Sequence, residues 1–253
     1  MSSLWEKLED FKKRIEFVEL SHPVSPETPH WAGFGSLESE EIYNFKKDAF
    51  TAIVYSMVSQ YGTHIDAPGH FTEGGRMLDE LDPRDALLPL VVVDVSEKVK
   101  EDPDYIVGPD DILEHERAHG DIPEGAFVAL RTDWSKREEN FDNIDEDGVS
   151  HYPGWSIPAC RLLIEERGVK AIGHETSDTD ASIISNEVGS LPVETYVLAQ
   201  DIYQVELLRN LDKMPPTGGV IFVGYPNVVG APGFSARCFG FYEKNGASSA
   251  GSR

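Results

Sequence analysis

The sequence predicts an α/β or α+β domain in which mixed β-sheets carry helices on their outside. Three observations lead there. At 253 residues, with 40% hydrophobic and 26% charged side chains, the chain is long enough to bury a full core and has the balance of a globular protein. Short apolar and β-branched runs bounded by Gly and Pro outnumber the amphipathic helical stretches. Their spacing does not repeat as regular βαβ units, and neither an internal repeat nor a linker divides the chain. A single domain over residues 1–243 is expected, followed by a small, polar, flexible tail at 244–253.

In chain order, Leu4, Leu8, Phe11 and Ile15 recur at steps of four and three between charges, the stripe of an amphipathic helix lying on the body. "FVELS" reads as a short strand, and Pro23, Pro26 and Pro29 exclude helix from the stretch after it. "TAIVYSMVS" (51–59) is apolar enough for a largely buried strand that runs into the loop "QYGTHIDAPGHF". Further strands are expected at 90–95, 127–134, 169–173, 219–226 and 236–242. Two surface helices are expected between them. One opens at Pro109 with Asp110 and Asp111; the other begins at Ser156, has Pro158 in its first turn and stops at Gly168.

Composition excludes several functions. With 22 basic against 45 acidic residues the formal charge is −23, so nucleic acids and anionic membranes are not expected partners. A small anionic substrate would need Arg76, Arg131 or Arg237 to reverse the field locally; otherwise these are surface ion-pair partners. Cys160 and Cys238 belong to no ligand or redox motif and read as small buried hydrophobes in a reducing compartment. The N-terminal residues lack the apolar core of a signal peptide, so a cytoplasmic location is expected.

The loop carries the chemistry. His64 and Asp66 are two apart, so in an extended segment both side chains point to one side and can converge on an ion. His70 follows four residues later, and Pro68 with Gly62 and Gly69 allows the backbone to return it toward the same place. Glu194 and Glu206 supply carboxylates that a fold could bring back. Taken alone, the HxDxxxH spacing marks a polar turn or cap more often than a metal cradle.

The longer string "YGTHIDAPGHF" resembles the HxxGTHxDxPxHF signature of the cyclase-like metal-dependent hydrolases, the family that includes bacterial kynurenine formamidase and isatin hydrolase. "VELSHPVSPETPHWAGF", "ALRTDW", "GVKAIGHETSDTD", "KMPPTGGVIFVGYP" and "GFSARCFGFY" are similar to further parts of that family, so nearly the whole chain is covered. The resemblance implies a swivelling β/β/α fold with mixed β-sheets and peripheral helices, assembled as a homodimer or homotetramer. It also implies a divalent metal, with His64, Asp66 and Glu206 as ligands, His70 as general acid/base, and Trp31 and Phe71 in the substrate pocket. Where the family often has histidines, this chain has Gln60 and Glu194. Included as ligands, they make an oxygen-rich set that favours Mn2+ over Zn2+, for one ion or two with Asp66 bridging. In "GHETSDTD", His174 is expected at the pocket rim as a substrate contact, or just behind it.

The implied activity is hydrolysis of a small amide, cyclic amide or formamide substrate. A lactone hydrolase or cyclase using the same site, and a non-catalytic binding protein of the same fold, are the alternatives. His115 and His119, one helical turn apart among Glu114, Glu116 and Arg117, are expected to decorate a solvated helix face.

Overall fold

A valine-rich run lies at the middle of a nine-stranded sheet in the structure, a computed structural model that describes residues 2–244. The expected tail therefore lies, apart from Lys244, outside the described residues. The strands in chain order are β1 (Ile15–Glu19), β2 (Glu38–Tyr43), β3 (Ala52–Ser56), β4 (His64–Asp66), β5 (Leu87–Asp94), β6 (Ile106–Val107), β7 (Phe127–Arg131), β8 (Gly154–Trp155), β9 (Ala171–His174), β10 (Tyr203–Glu206), β11 (Gly219–Gly224), β12 (Gly233–Ser235) and β13 (Arg237–Glu243). The helices are α1 (Leu4–Arg14), α2 (Phe45–Asp48), α3 (Ser96–Glu101), α4 (Pro109–His119), α5 (Ile157–Arg161, continued by a π-helical turn to Glu166), α6 (Ser182–Val188) and α7 (Pro192–Ala199).

The large sheet runs β1-β13-β11-β5-β7-β9-β10-β4-β12. Its centre, β5-β7-β9-β10, is parallel, and antiparallel strands flank it on both sides. Both faces of the centre are covered, which is why these strands read as continuous apolar runs rather than alternating ones. Leu90 and Val92 of β5 join Ile65, Phe127 and Val205 in one core, while Val91 and Val93 join Leu130, Ile112 of α4, Cys160 of α5 and Val197 of α7 in the other. This mixed sheet with outer helices is the expected fold class. Among the described residues no helix is long and apolar enough to cross a membrane.

Two expectations about burial fail. The strand at 51–59 is shorter, Ala52–Ser56, and exposed rather than buried; it pairs with β2 alone, in a hairpin separate from the main sheet. β-branched composition selects an extended backbone, but burial needs a second surface, and none lies over this hairpin. Helix α1 forms with a Ser3–Glu6 capping box, yet it buries no residue, and Leu4 and Trp5 are 79% and 82% exposed. From the predicted stripe, Phe11 lies edge-on to Phe241 at 5.5 Å, and Ile15 is buried but leaves the helix to begin β1.

Candidate metal centre and pocket

Strand register builds the site. β10 lies antiparallel to β4 with Glu206 opposite His64 and Gln204 opposite Asp66, so four polar side chains share one face of two neighbouring strands. His64 Nε2 lies 3.3 Å from both Asp66 Oδ2 and Glu206 Oε2. Its Nδ1 is 2.8 Å from the Gly62 carbonyl oxygen; donation there leaves the Nε2 lone pair facing the carboxylates. On the far side of β4, Gly233 lies opposite Asp66, and a Cβ there would sit 2.6 Å from Asp66 Oδ1. Only glycine lets β12 pair this closely.

After β4, Pro68 starts a short 3-10 turn that brings His70 back over the strand. His70 Nε2 stands 3.8 Å from Asp66 Oδ1 and 3.9 Å from Glu194 Oε1. Glu194 sits in the first turn of α7, whose free Val193 and Glu194 N–H groups donate to Asp180 at 2.9 and 3.0 Å. His64, Asp66 and Glu206 thus form one group of potential ligands, and Asp66, His70 and Glu194 a second sharing Asp66.

Gln204, Asp180 and Gly233 were not singled out from the sequence. Gln204 Nε2 donates to Glu194 at 2.9 Å, Glu206 at 3.0 Å and Asp66 at 3.4 Å, while its Oε1 accepts from Thr179 at 2.7 Å. Its place two residues before Glu206 in a strand was the available signal.

Electrostatics favour a cation. Burial presses the Glu194 carboxyl well above the ordinary glutamate range, and the Glu206 and Asp66 charges press it further. Burial also disfavours charge on His64, but Asp66 and Glu206 outweigh it and hold the imidazole well above its usual value. Burial alone would raise Asp66; the facing His64 reverses that and lowers it. No Lys or Arg pairs with these three carboxylates among the described residues, and buried Asp66 Oδ1 has no hydrogen-bond partner. A divalent ion fits this donor set.

The centre forms the floor of a cavity of about 580 Å3. Trp31, Phe34, Phe71 and Leu191 wall one part; Tyr152, Ser177 and Asp178 wall another. Tyr152 hydrogen-bonds Asp178, whose carboxyl is pushed up to about 7, first by burial and then by the Glu206 charge. Among the described residues, no Lys or Arg lines the cavity. Arg76, Arg131 and Arg237 pair with Asp201, Asp94 and Glu19 instead.

Three expectations change. His174 is not at the rim: it ends the buried strand β9, fully enclosed, with Nε2 3.5 Å behind Glu206, so it backs a carboxylate rather than touching substrate. Gln60 lines the cavity, but its oxygen accepts from Ser59 and its amide nitrogen lies 3.5 Å from His70 Nδ1, which makes it a neighbour of His70 rather than a ligand as it stands. His115 is buried rather than solvated; its Nε2 lacks a hydrogen-bond partner, and its ring centroid lies 5.0 Å from that of His119.

Comparison with known proteins agrees with this arrangement. An isatin hydrolase of Roseibium aggregatum is 29% identical over 237 residues, covering 87% of this chain and 89% of the relative. The structure of isatin hydrolase A from Labrenzia aggregata bound to benzyl benzoate superposes with a TM-score of 0.87 at 30% identity, over 96% of this chain and 100% of that one. An isatin hydrolase bound to the product analogue thioisatinate gives 0.86 at 26% identity, over 96% and 100%. The family model described as "Putative cyclase" matches residues 18–181, a span that takes in β4 with His64 and Asp66, the return turn with His70, and the central strands β5, β7 and β9. The chain belongs to the cyclase family.

Proposed function

We propose that the protein is a metal-dependent hydrolase that opens a small, uncharged cyclic amide. The observation that carries this reading is a group of three carboxylates and two imidazoles at the floor of a cavity with aromatic walls and no lining cation. The isatin hydrolases similar to this chain support the amide class. The missing cation argues for a neutral ring over N-formylkynurenine, whose amino-acid carboxylate would need a positive partner.

His64, Asp66 and Glu206 would hold one ion, and Asp66 with Glu194 would supply carboxylates to a second, leaving the His70 imidazole for proton transfer. When bound, a divalent cation supplies electrophilic activation of a carbonyl and acidification of water. Oxygen donors outnumber nitrogen donors, which favours Mn2+ over Zn2+. Trp31, Phe34 and Phe71 offer flat apolar surface for a ring. His70, the most open of the five side chains, takes the proton of the attacking water and delivers it to the departing nitrogen as the C–N bond breaks and the C–O bond forms. Gln60, beside Nδ1, orients that ring. A cytoplasmic site of action belongs to the same proposal, on two free, buried cysteines.

The test is hydrolysis of isatin, N-formylkynurenine and an aromatic lactone by chelator-stripped protein reloaded with Mn2+ or Zn2+. Isatin opening restored best by Mn2+ is expected. Full activity in stripped protein overturns the metal reading, and preference for N-formylkynurenine or the lactone overturns the substrate class. His70→Asn is expected to lower kcat by about 10²–10⁴-fold, while the ion at His64, Asp66 and Glu206 stays measurable by elemental analysis.

A further inference from the structure

Residues 115–119 read His-Glu-Arg-Ala-His, two imidazoles one turn apart on α4, and the pocket chemistry uses neither. Both line a second cavity, of about 400 Å3, at the C-terminal ends of β5 and β7. His115 is 7% exposed, and its Nε2 has no hydrogen-bond partner. Buried polar atoms without a partner are rare in folded proteins, and a bound ion or water is a usual reason for one. His119 is exposed, so its ring is free to turn toward His115. The two ring centroids lie 5.0 Å apart. Two imidazoles on one tetrahedral ion, each with a metal–nitrogen distance of about 2.0–2.1 Å, also hold their centroids roughly 5 Å apart.

We propose that His115 and His119 form a second metal site, separate from the centre at β4 and β10, that takes a nitrogen-seeking ion of the Zn2+ class and discriminates against Mn2+. The donor set decides the class. The carboxylates lining this cavity are already engaged, Asp94 by Arg131 and the Ser96 hydroxyl, Asp111 and Glu114 by Lys98. Two imidazoles therefore bind the ion, and water fills its other positions. Imidazole suits Zn2+, whereas Mn2+ prefers oxygen. The end of α4 helps, because the negative pole of the helix favours a cation beside its last turn. Burial, and then His119 beside it, hold the His115 imidazole below its ordinary range, in the neutral form that binds metal. The site binds and does not hydrolyse. In a helical HExxH motif the glutamate is the general base, but Glu116 is held by Arg167 at 2.7 and 3.0 Å and accepts from the Ile122 N–H at 3.3 Å.

Titration of the full chain with Zn2+ after chelator treatment, read by a competing indicator and by elemental analysis, tests this. The parent protein is expected to bind one Zn2+ per chain more than His119→Ala or His115→Ala, each of which should weaken that extra ion at least tenfold. Excess Mn2+ should leave the extra Zn2+ in place. The comparison counts a difference between parent and variant, so it reads the same whatever occupies the oxygen-rich centre, and it can fail while the function proposed above stands. His119→Ala alters an exposed side chain and decides the matter if His115→Ala does not fold. Equal Zn2+ stoichiometry and affinity in the parent and His119→Ala, or an extra ion that Mn2+ displaces, overturns the proposal.

Discussion

One amide nitrogen, Nε2 of Gln204, lies 2.9 Å from Glu194, 3.0 Å from Glu206 and 3.4 Å from Asp66, and so holds together three carboxylates that repel one another. Gln204→Leu removes that donor and leaves Thr179 without its acceptor. Stripped protein carrying this change should lose about 1–3 kcal/mol of stability, and metal affinity should fall about 10–100-fold; thermal melts and a competition titration read the two effects. An unchanged affinity would show that Gln204 does not position the ligands. At this scale the sequence was legible where the donors lie in one loop: His64, Asp66 and His70 share seven positions and meet in space. It was not legible where a role depends on a distant strand. Apart from its place two residues before Glu206, nothing local distinguishes the amide of Gln204 from a surface glutamine. His174, in a string of polar residues, reads as exposed although β9 encloses it.

Elements meet through Glu175, just past β9, which accepts from the Thr132 N–H at 2.9 Å and from the Ser135 hydroxyl at 2.6 Å in the segment after β7. Burial pushes its carboxyl up to about 7, against about 4.3 in an unfolded chain. Between those values the folded protein binds the extra proton. The Glu175 contribution is therefore greatest on the acid side, falls as pH rises from about 4 to 7, and then levels. Glu175→Gln keeps an acceptor for Thr132, and it should flatten that part of the curve in melts of stripped protein between pH 5 and 7.5; parallel slopes for the two proteins would refute the assignment. Strand and helix types were read well from composition, because Pro109, Ser156 and the valine run of β5 act locally. Burial was read poorly at β3, whose apolar residues are as frequent as those of a core strand, and at α1, whose apolar stripe has the spacing of a packed helix. Helix α7, with Pro192 at its start, escaped notice because Leu191 to Ala199 is mostly apolar and has no polar face to mark a stripe; α6, only seven residues long, is too short to show one.

Over the whole molecule, the −23 charge surrounds a cavity lined by Asp178, Glu194 and Glu206 and, among the described residues, by no Lys or Arg. A carboxylate product should compete weakly with substrate at low ionic strength. Its inhibition constant should tighten several-fold as salt shortens the Debye length from about 30 Å at 0.01 M to about 8 Å at 0.15 M; product inhibition that weakens with salt would contradict this. The acidic surface around the cavity would then work as a rectifier. In the proposed reaction a neutral ring enters without hindrance, while the carboxylate that hydrolysis would make is repelled by the surrounding charge once it leaves the ion, so flow through the site would acquire a direction from charge alone, with no moving part.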